Sequence, residues 1–216
     1  MRLTALAFPI ALLAAVAQAA AQPPPPAAAP PPRPPAVAVM TLDSPAWPDG
    51  GVIPVRHAQP GRDVSPPLSW SGAPDGVVSY VLVVRDLDQL TPATGEDTLH
   101  WLVWNIPATT TSLPEAMPAG NTRPVPGPGG GGGVGAPRVP TDGPRQTSAT
   151  GPNYRGPAAP ASGPPHHYVF EIYALDIWID VSPFGQMPAA MRAAVTAAMA
   201  GHIRGKGVRV GLFRRP

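Results

Sequence analysis

Proline fixes φ and has no backbone N–H, so a segment crowded with it is barred from central strands and helix interiors. The chain carries 35 prolines in 216 residues, and their placement divides it. Nine lie between Pro23 and Pro35 and twelve between Pro118 and Pro165. The stretches 41–115 and 166–216 instead keep periodic apolar runs and all five tryptophans. One folded domain is therefore expected, with a proline-rich leader segment and a proline-glycine-rich insertion. With 44% hydrophobic residues and a formal charge of only +2, disorder of the whole chain is excluded.

The first 21 residues read as a secretory signal peptide, with Arg2, an apolar run from Leu3 to Val16, and Ala17, Gln18, Ala19 in an A-x-A arrangement. The run is largely alanine, short of the strongly apolar stretch of about 20 residues that a spanning helix needs. No integral membrane span is expected after cleavage, and the protein is placed in the periplasm or outside the cell. With no cysteine the chain has neither disulfides nor a site for cysteine acylation. Residues 22–40, nearly all proline and alanine, form a polyproline II linker. Residues 41–216 are the domain, with a flexible insertion at about 120–152. The glycine run Gly129 to Gly133 lacks the following Gly-Lys-Ser/Thr of a phosphate loop and is expected to dangle. The 15 basic residues form no stripe and no recognition motif, so nucleic acid is not an expected partner.

Inside the domain the chain reads as mostly β. Strands are expected at Val77 to Asp86, Trp101 to Ile106, Tyr168 to Leu175 and Val208 to Phe213, the first buried on both faces. In the third, Glu171 among apolar neighbours suggests a partly exposed face. A helix is expected from about Pro188 to Ala200, opened by proline and stopped by Gly201. Few helices among many strands imply an antiparallel sheet or sandwich.

Polar residues gather at the strand ends. Asp86 and Asp88, two apart, face the same side if the strand stays extended; His100 opens the next strand, and His166 and Tyr168 open the third. Such positions are fixed by the sheet yet accessible, and suit a binding site. Turn aspartates and satisfied, half-buried histidines would give the same pattern.

The motifs SPPLSW (Ser65 to Trp70), the Asp86 and Asp88 pair, HWLVWNIP (His100 to Pro107), LPE (Leu113 to Glu115), YRGP (Tyr154 to Pro157), HHY (His166 to Tyr168) and YALD (Tyr173 to Asp176) occur in this order. Together with DGGVIP (Asp49 to Pro54) they make a chain that resembles the phosphatidylethanolamine-binding proteins, and within them the bacterial Raf kinase inhibitor-like branch. The resemblance spans about Thr41 to Phe213, without the insertion. It implies an antiparallel β-sandwich-like fold with one or two short helices near the C-terminus. It also implies a non-catalytic pocket for phosphate or a phosphorylated headgroup, lined by Asp86, Asp88, His100, His166 and Tyr168 and walled by Gly156 and Pro157. No cofactor is implied. Modulation of a partner protein such as a kinase or protease is a further expectation; the oligomeric state is open.

Two departures from the family bear on that pocket. Leu87 stands where relatives carry proline, which is expected to loosen the backbone beside both aspartates. The stretch before Tyr154 is unusually long. Two other functions compete with the binding protein. One is a metal-dependent hydrolase using the Asp/His cluster, although HExxH and GxSxG are absent. The other is an envelope interaction protein with a vestigial pocket.

Overall fold

The apolar runs between the proline-rich segments become the long central strands of a sheet. In the computed structural model of the chain, residues 36–92, 94–120 and 143–216 are described. The expected leader over 1–21, linker residues 22–35 and insertion residues 121–142 lie outside the described residues. The elements run β1 (Ala38–Val39), β2 (Thr41–Asp43), β3 (Gly51–Val52), a 3-10 turn (Val55–His57), β4 (Leu68–Ser71), β5 (Ser79–Leu90), β6 (Asp97–Pro107), β7 (Ser112–Leu113), β8 (Arg145–Thr147), β9 (His166–Leu175), α1 (Pro188–Met199) and β10 (Ile203–Phe213).

Among the described residues, the main sheet has seven strands in the order β1-β10-β9-β5-β6-β8, with β3 also paired to β10. A second sheet is ordered β2-β4-β7. The mostly β, sandwich-like expectation holds, with one refinement: β1 and β3 run parallel to β10, and only the other pairs are antiparallel. Because Ala38 and Val39 pair with β10 and Met40 is buried, the end of the expected 22–40 linker belongs to the domain.

The main sheet is buried on both faces, which is why β5 reads as a nearly continuous apolar run. On one face Leu82, Val84, Trp101, Val103, Phe170 and Ile172 pack with Leu42, Leu68 and Trp70 of the small sheet. On the other, Val81, Leu102, Trp104 and Leu175 lie with Met191, Val195 and Met199 of α1. The spacing of four between these helical residues sets them on one stripe. Each large side chain buried this way contributes about 1.5–3 kcal/mol.

Two expectations need correction. The face of β9 that carries Glu171 is partly exposed at His167 and Tyr173, but Glu171 itself is 4% exposed. Its carboxylate binds Arg85 at 2.6 Å and Lys206, the only lysine, at 2.6 Å. Arg85 in turn binds Asp97 at 2.7 Å, and Asp97 binds Arg192 of α1, so this network ties the helix to the sheet. Burial pushes the Glu171 carboxyl up, but the Lys206 hydrogen bond and the Arg85 charge outweigh it, and the net direction is down.

The second correction concerns the insertion. Arg145–Thr147, assigned to a flexible loop at about 120–152, form an edge strand against β6 with all three residues buried. A long-range partner explains it. Trp101 Nε1–H donates to Gln146 Oε1 at 2.9 Å, and the Gln146 amide donates to the carbonyls of Pro118 and Gly120 at 2.6 and 3.0 Å.

Gln146→Ala leaves the buried indole N–H of Trp101 without its acceptor and is expected to lower unfolding free energy by about 1–3 kcal/mol. Urea unfolding checks this, and an unchanged midpoint means that β8 does not hold the sheet edge. Glu171→Gln, which strips the charge from between two cations, is expected to cost about 2–4 kcal/mol at neutral pH. Its folded-state pKa is depressed, so the contribution is full above 4.5, the ordinary value, and is lost as pH falls through the folded value. Unfolding curves of wild type and variant should therefore converge in acid; a constant difference contradicts the assignment.

Candidate functional site

Strand register assembles the site at one end of β5, β6 and β9. Asp86 lies opposite Tyr168 on β9, and residues directly opposite share a face. His166, two residues from Tyr168, shares that face too. His100 reaches it by a different device. Trp101 pairs with Val84 and Leu99 pairs with Arg85, so His100 is the extra residue of a β-bulge. A bulge breaks the alternation and re-aims a side chain. The His100 ring accordingly meets Tyr168 edge-on, with centroids 5.1 Å apart at 84°. The His166 ring lies near-parallel to Tyr168 at 6.5 Å.

Asp86 is fully buried. Its Oδ2 accepts from Nδ1–H of His166 at 2.8 Å, and its Oδ1 accepts from the backbone N–H groups of Asp88 and Gln89 at 3.0 and 3.1 Å. The hydroxyl of Tyr168, which lies opposite Asp86 on β9, accepts from Ala158 N–H at 3.2 Å. Burial first, and then the Asp86 charge, raise the Tyr168 pKa, so the phenol keeps its proton. The loosening expected from Leu87 does not appear. Asp86 pairs with Thr98 and Leu90 with Asp97, so residues 87–89 bulge out of the ladder, and the Asp86 carboxylate pins that bulge through the N–H groups of residues 88 and 89.

The same bulge separates the two aspartates. The ladder with β6 is interrupted between Asp86 and Leu90, and Asp88 is not brought into the cluster. Its half-exposed carboxylate accepts from the backbone N–H of His167 at 2.6 Å and from His167 Nδ1–H at 2.9 Å. The backbone hydrogen bond is the main reason its pKa is lowered.

His100 is 2% exposed, and its Nδ1–H donates to the Arg155 carbonyl at 2.8 Å. Its Nε2 is buried with no hydrogen-bond partner. Burial lowers its pKa, against the Arg155 carbonyl and the Asp86 charge. The ring is therefore neutral near pH 7, with a lone pair on Nε2. Gly156 and Pro157 form the adjoining wall. Gln59 ties them down, its N–H donating to Pro157 O at 2.9 Å and its amide to Gly156 O at 2.8 Å. A Cβ on Gly156 would lie 2.3 Å from the His57 carbonyl oxygen, so only glycine fits.

Of the sequence-predicted residues the structure thus joins Asp86, His100, His166 and Tyr168, with Gly156 and Pro157 beside them, and directs Asp88 to His167. Gln59, Asp63, Arg155 and His167 were not anticipated. The first three act from loops, where no periodicity marks them, and His167 sits on the opposite pleat of β9. Among the described residues no group of three His, Cys, Asp or Glu side chains is arranged to hold a metal ion, so the hydrolase reading gains no support. A hollow of about 560 Å³ lies apart, lined by Gln146, Thr150, Phe184 and Met191 among others, and shares no residue with the cluster. Within the cluster, His100 Nε2 is the buried polar atom that lacks a partner.

The chain is 34% identical over 179 residues to the UPF0098 protein of Methanothermobacter thermautotrophicus, covering 82% of this chain and 99% of that protein. It is 36% identical over 138 residues to the UPF0098 protein YbhB of Escherichia coli, covering 60% and 73%. A Mycobacterium tuberculosis protein named as a candidate lipoprotein, LppC, is 34% identical over 165 residues, covering 76% and 69%. The crystal structure of a phosphatidylethanolamine-binding protein homologue from Chlamydia trachomatis superposes with a TM-score of 0.62 at 26% identity, covering 82% of this chain and 99% of that one. Escherichia coli YbcL shares the fold, at a TM-score of 0.61 and 24% identity, covering 82% and 99%. Residues 43–214 match the sequence model of the phosphatidylethanolamine-binding protein, and with the relatives this establishes that the chain belongs to that family.

Proposed function

We propose that this protein is a non-catalytic binding protein for a small phosphorylated or anionic ligand, such as phosphate or a phospholipid headgroup, taken up beside Asp86, His100, His166 and Tyr168. The observation that carries the reading is the unpartnered, buried Nε2 of His100. An orphaned buried polar atom costs about 1–3 kcal/mol, and a ligand that satisfies it recovers that cost on binding. Asp88, half-exposed and engaged with His167, belongs to the rim. A partner protein, if one is engaged, is engaged at the same rim and competes with the small ligand. The leader-like first 21 residues and the mycobacterial relative's lipoprotein name support a place in the periplasm or outside the cell.

The hydrogen bonding sets a condition on the ligand. Both imidazoles spend Nδ1–H on the protein, His100 on the Arg155 carbonyl and His166 on Asp86. Their neutral forms therefore offer Nε2 as an acceptor. An anion is held only if a proton comes with it, either as the P–OH of a phosphate monoanion or by protonation of a ring. A phosphate monoester, whose second pKa is about 6, can bring that proton near neutral pH, whereas a phosphodiester headgroup needs the ring to be protonated. Sulfate cannot bring that proton.

Titration with inorganic phosphate, followed through the imidazole NMR signals, is expected to move His100 and His166 at millimolar concentration. His100→Ala should weaken phosphate by about tenfold or more, since hydrogen bonds to charged groups contribute about 1.5–3 kcal/mol. Silent histidine signals, or equal affinity in the variant, would sink the reading. Phosphorylethanolamine in a parallel titration separates a headgroup from free phosphate by its added affinity.

The pH dependence of sulfate binding tests the proton condition. The free His100 pKa is lowered by burial and a bound anion raises it, so the complex holds more protons than the free protein. Sulfate affinity should rise as pH falls through the bound-state value and level off below the free-state value. Isothermal titration in buffers of different ionisation enthalpy should show proton uptake; a flat profile contradicts the assignment.

A further inference from the structure

Asp63 lies in the loop between the 3-10 turn and β4, in the left-handed region at φ 53. Its Oδ1 accepts from Gly156 N–H at 2.6 Å. That N–H belongs to the same peptide group as the Arg155 carbonyl, and that carbonyl accepts Nδ1–H of His100 at 2.8 Å. A carboxylate, a peptide group and an imidazole are thus joined in series, ending at the one buried ring nitrogen in the cluster that has no partner. Hydrogen bonds in a chain polarise one another, so an anion on the peptide N–H makes its carbonyl a stronger acceptor.

We propose that Asp63 is a positioning residue for His100, acting through the Arg155–Gly156 peptide to hold the imidazole with Nδ1 protonated and Nε2 free to meet the ligand. This rests on the reading of His100 as a ligand contact, although the relay itself is complete without ligand. The peptide is held on every side. Tyr154 Oη–H donates to the His57 carbonyl at 2.8 Å, Gln59 binds the Gly156 carbonyl, and Arg155 N–H donates back to the His100 carbonyl at 3.1 Å. The His57 carbonyl also closes the space at the Gly156 Cα. With rotation of the peptide blocked, its two ends report directly on each other. Aspartate and asparagine tolerate the left-handed backbone better than other side chains, so the loop bearing the carboxylate needs one of these two.

Several other charged or titratable groups face the His100 ring. Asp86 on β5 favours the charged form, and Arg155 on the loop disfavours it. Tyr168 and His166 on β9 complete the surroundings, with the Tyr168 ring against His100 and the His166 ring against Tyr168. Asp63 also acts on the buried Tyr154. Asp63→Asn leaves all of these in place, keeps an acceptor for Gly156 N–H, suits the backbone, and removes only the charge.

The test is imidazole NMR on the ligand-free full chain. In Asp63→Asn, His100 should titrate about one unit lower, as expected when a carboxylate charge that polarises its acceptor is lost, with the Nδ1–H tautomer retained. In Asp63→Ala the Gly156 amide proton should move upfield, and His100 should begin to populate the Nε2–H tautomer. An unchanged His100 pKa in Asp63→Asn overturns the proposal, and that variant decides the matter alone if Asp63→Ala does not fold. Inorganic phosphate then separates the two readings. Above the His100 pKa, Asp63→Asn should bind it up to about tenfold more weakly. If His100 shifts in Asp63→Asn but phosphate never perturbs it in the wild type, the relay stands and the anion-pocket reading falls.

Discussion

The site depends on one buried charge. Taking a carboxylate wholly out of water costs several kcal/mol unless its lone pairs are filled, and Asp86 fills them from two places: the backbone of residues 88 and 89 and the His166 ring. Each of those donors is thereby fixed. The His166 ring is oriented by the carboxylate on its Nδ1 side, and the bulge at 87–89 is pinned to the end of β5. The acid that might be expected to repel an anionic ligand is occupied in organising the groups that could receive one.

The two histidines are consequently unequal. His166 is held by a carboxylate, and His100 by a peptide carbonyl. Burial acts on the second more strongly than the Arg155 carbonyl and the Asp86 charge that oppose it, and the direction of its pKa shift is down. One ring pairs with charge while the other stays neutral and unfilled at Nε2. On the proposed reading such a site would discriminate by proton content: a ligand carrying an acidic O–H would meet a lone pair, and a fully ionised one would need the ring to take up a proton. Selectivity of this kind follows from hydrogen-bond directions rather than from net charge, which agrees with a chain that is close to neutral overall.

Much of this was legible in the sequence because it obeys a period. The apolar runs gave the central strands, Pro188 and Gly201 bracketed the helix, and the two-residue spacing of His166 and Tyr168 put both rings on one face. What was hidden breaks the period or spans the chain. Simple alternation sets His100 on the pleat opposite Trp101, and only the bulge brings it beside Tyr168. Alternation past Asp86 predicts that Asp88 joins it, and the bulge at 87–89 sends Asp88 to His167 instead. Arg145–Thr147 look like loop, since a polar tripeptide in a glycine-proline context has no strand propensity of its own. Its strand exists because Gln146 meets Trp101, 45 positions away. Glu171 is buried for a similar reason, its cations arriving from β5 and β10.

Leu87 shows why a missing motif residue need not mean a missing site. Proline at that position would lack only its own N–H, whereas the Asp86 carboxylate draws on the N–H groups of residues 88 and 89. The hydrogen bonds that anchor the bulge therefore do not use the one N–H that a proline would remove. The difference between leucine and proline falls on the unfolded chain, where proline restricts the backbone and leucine does not, an effect of about 0.4–1 kcal/mol when the native conformation suits both. In this protein the Asp86 carboxylate restrains the bulge by hydrogen bonding to the backbone of residues 88 and 89.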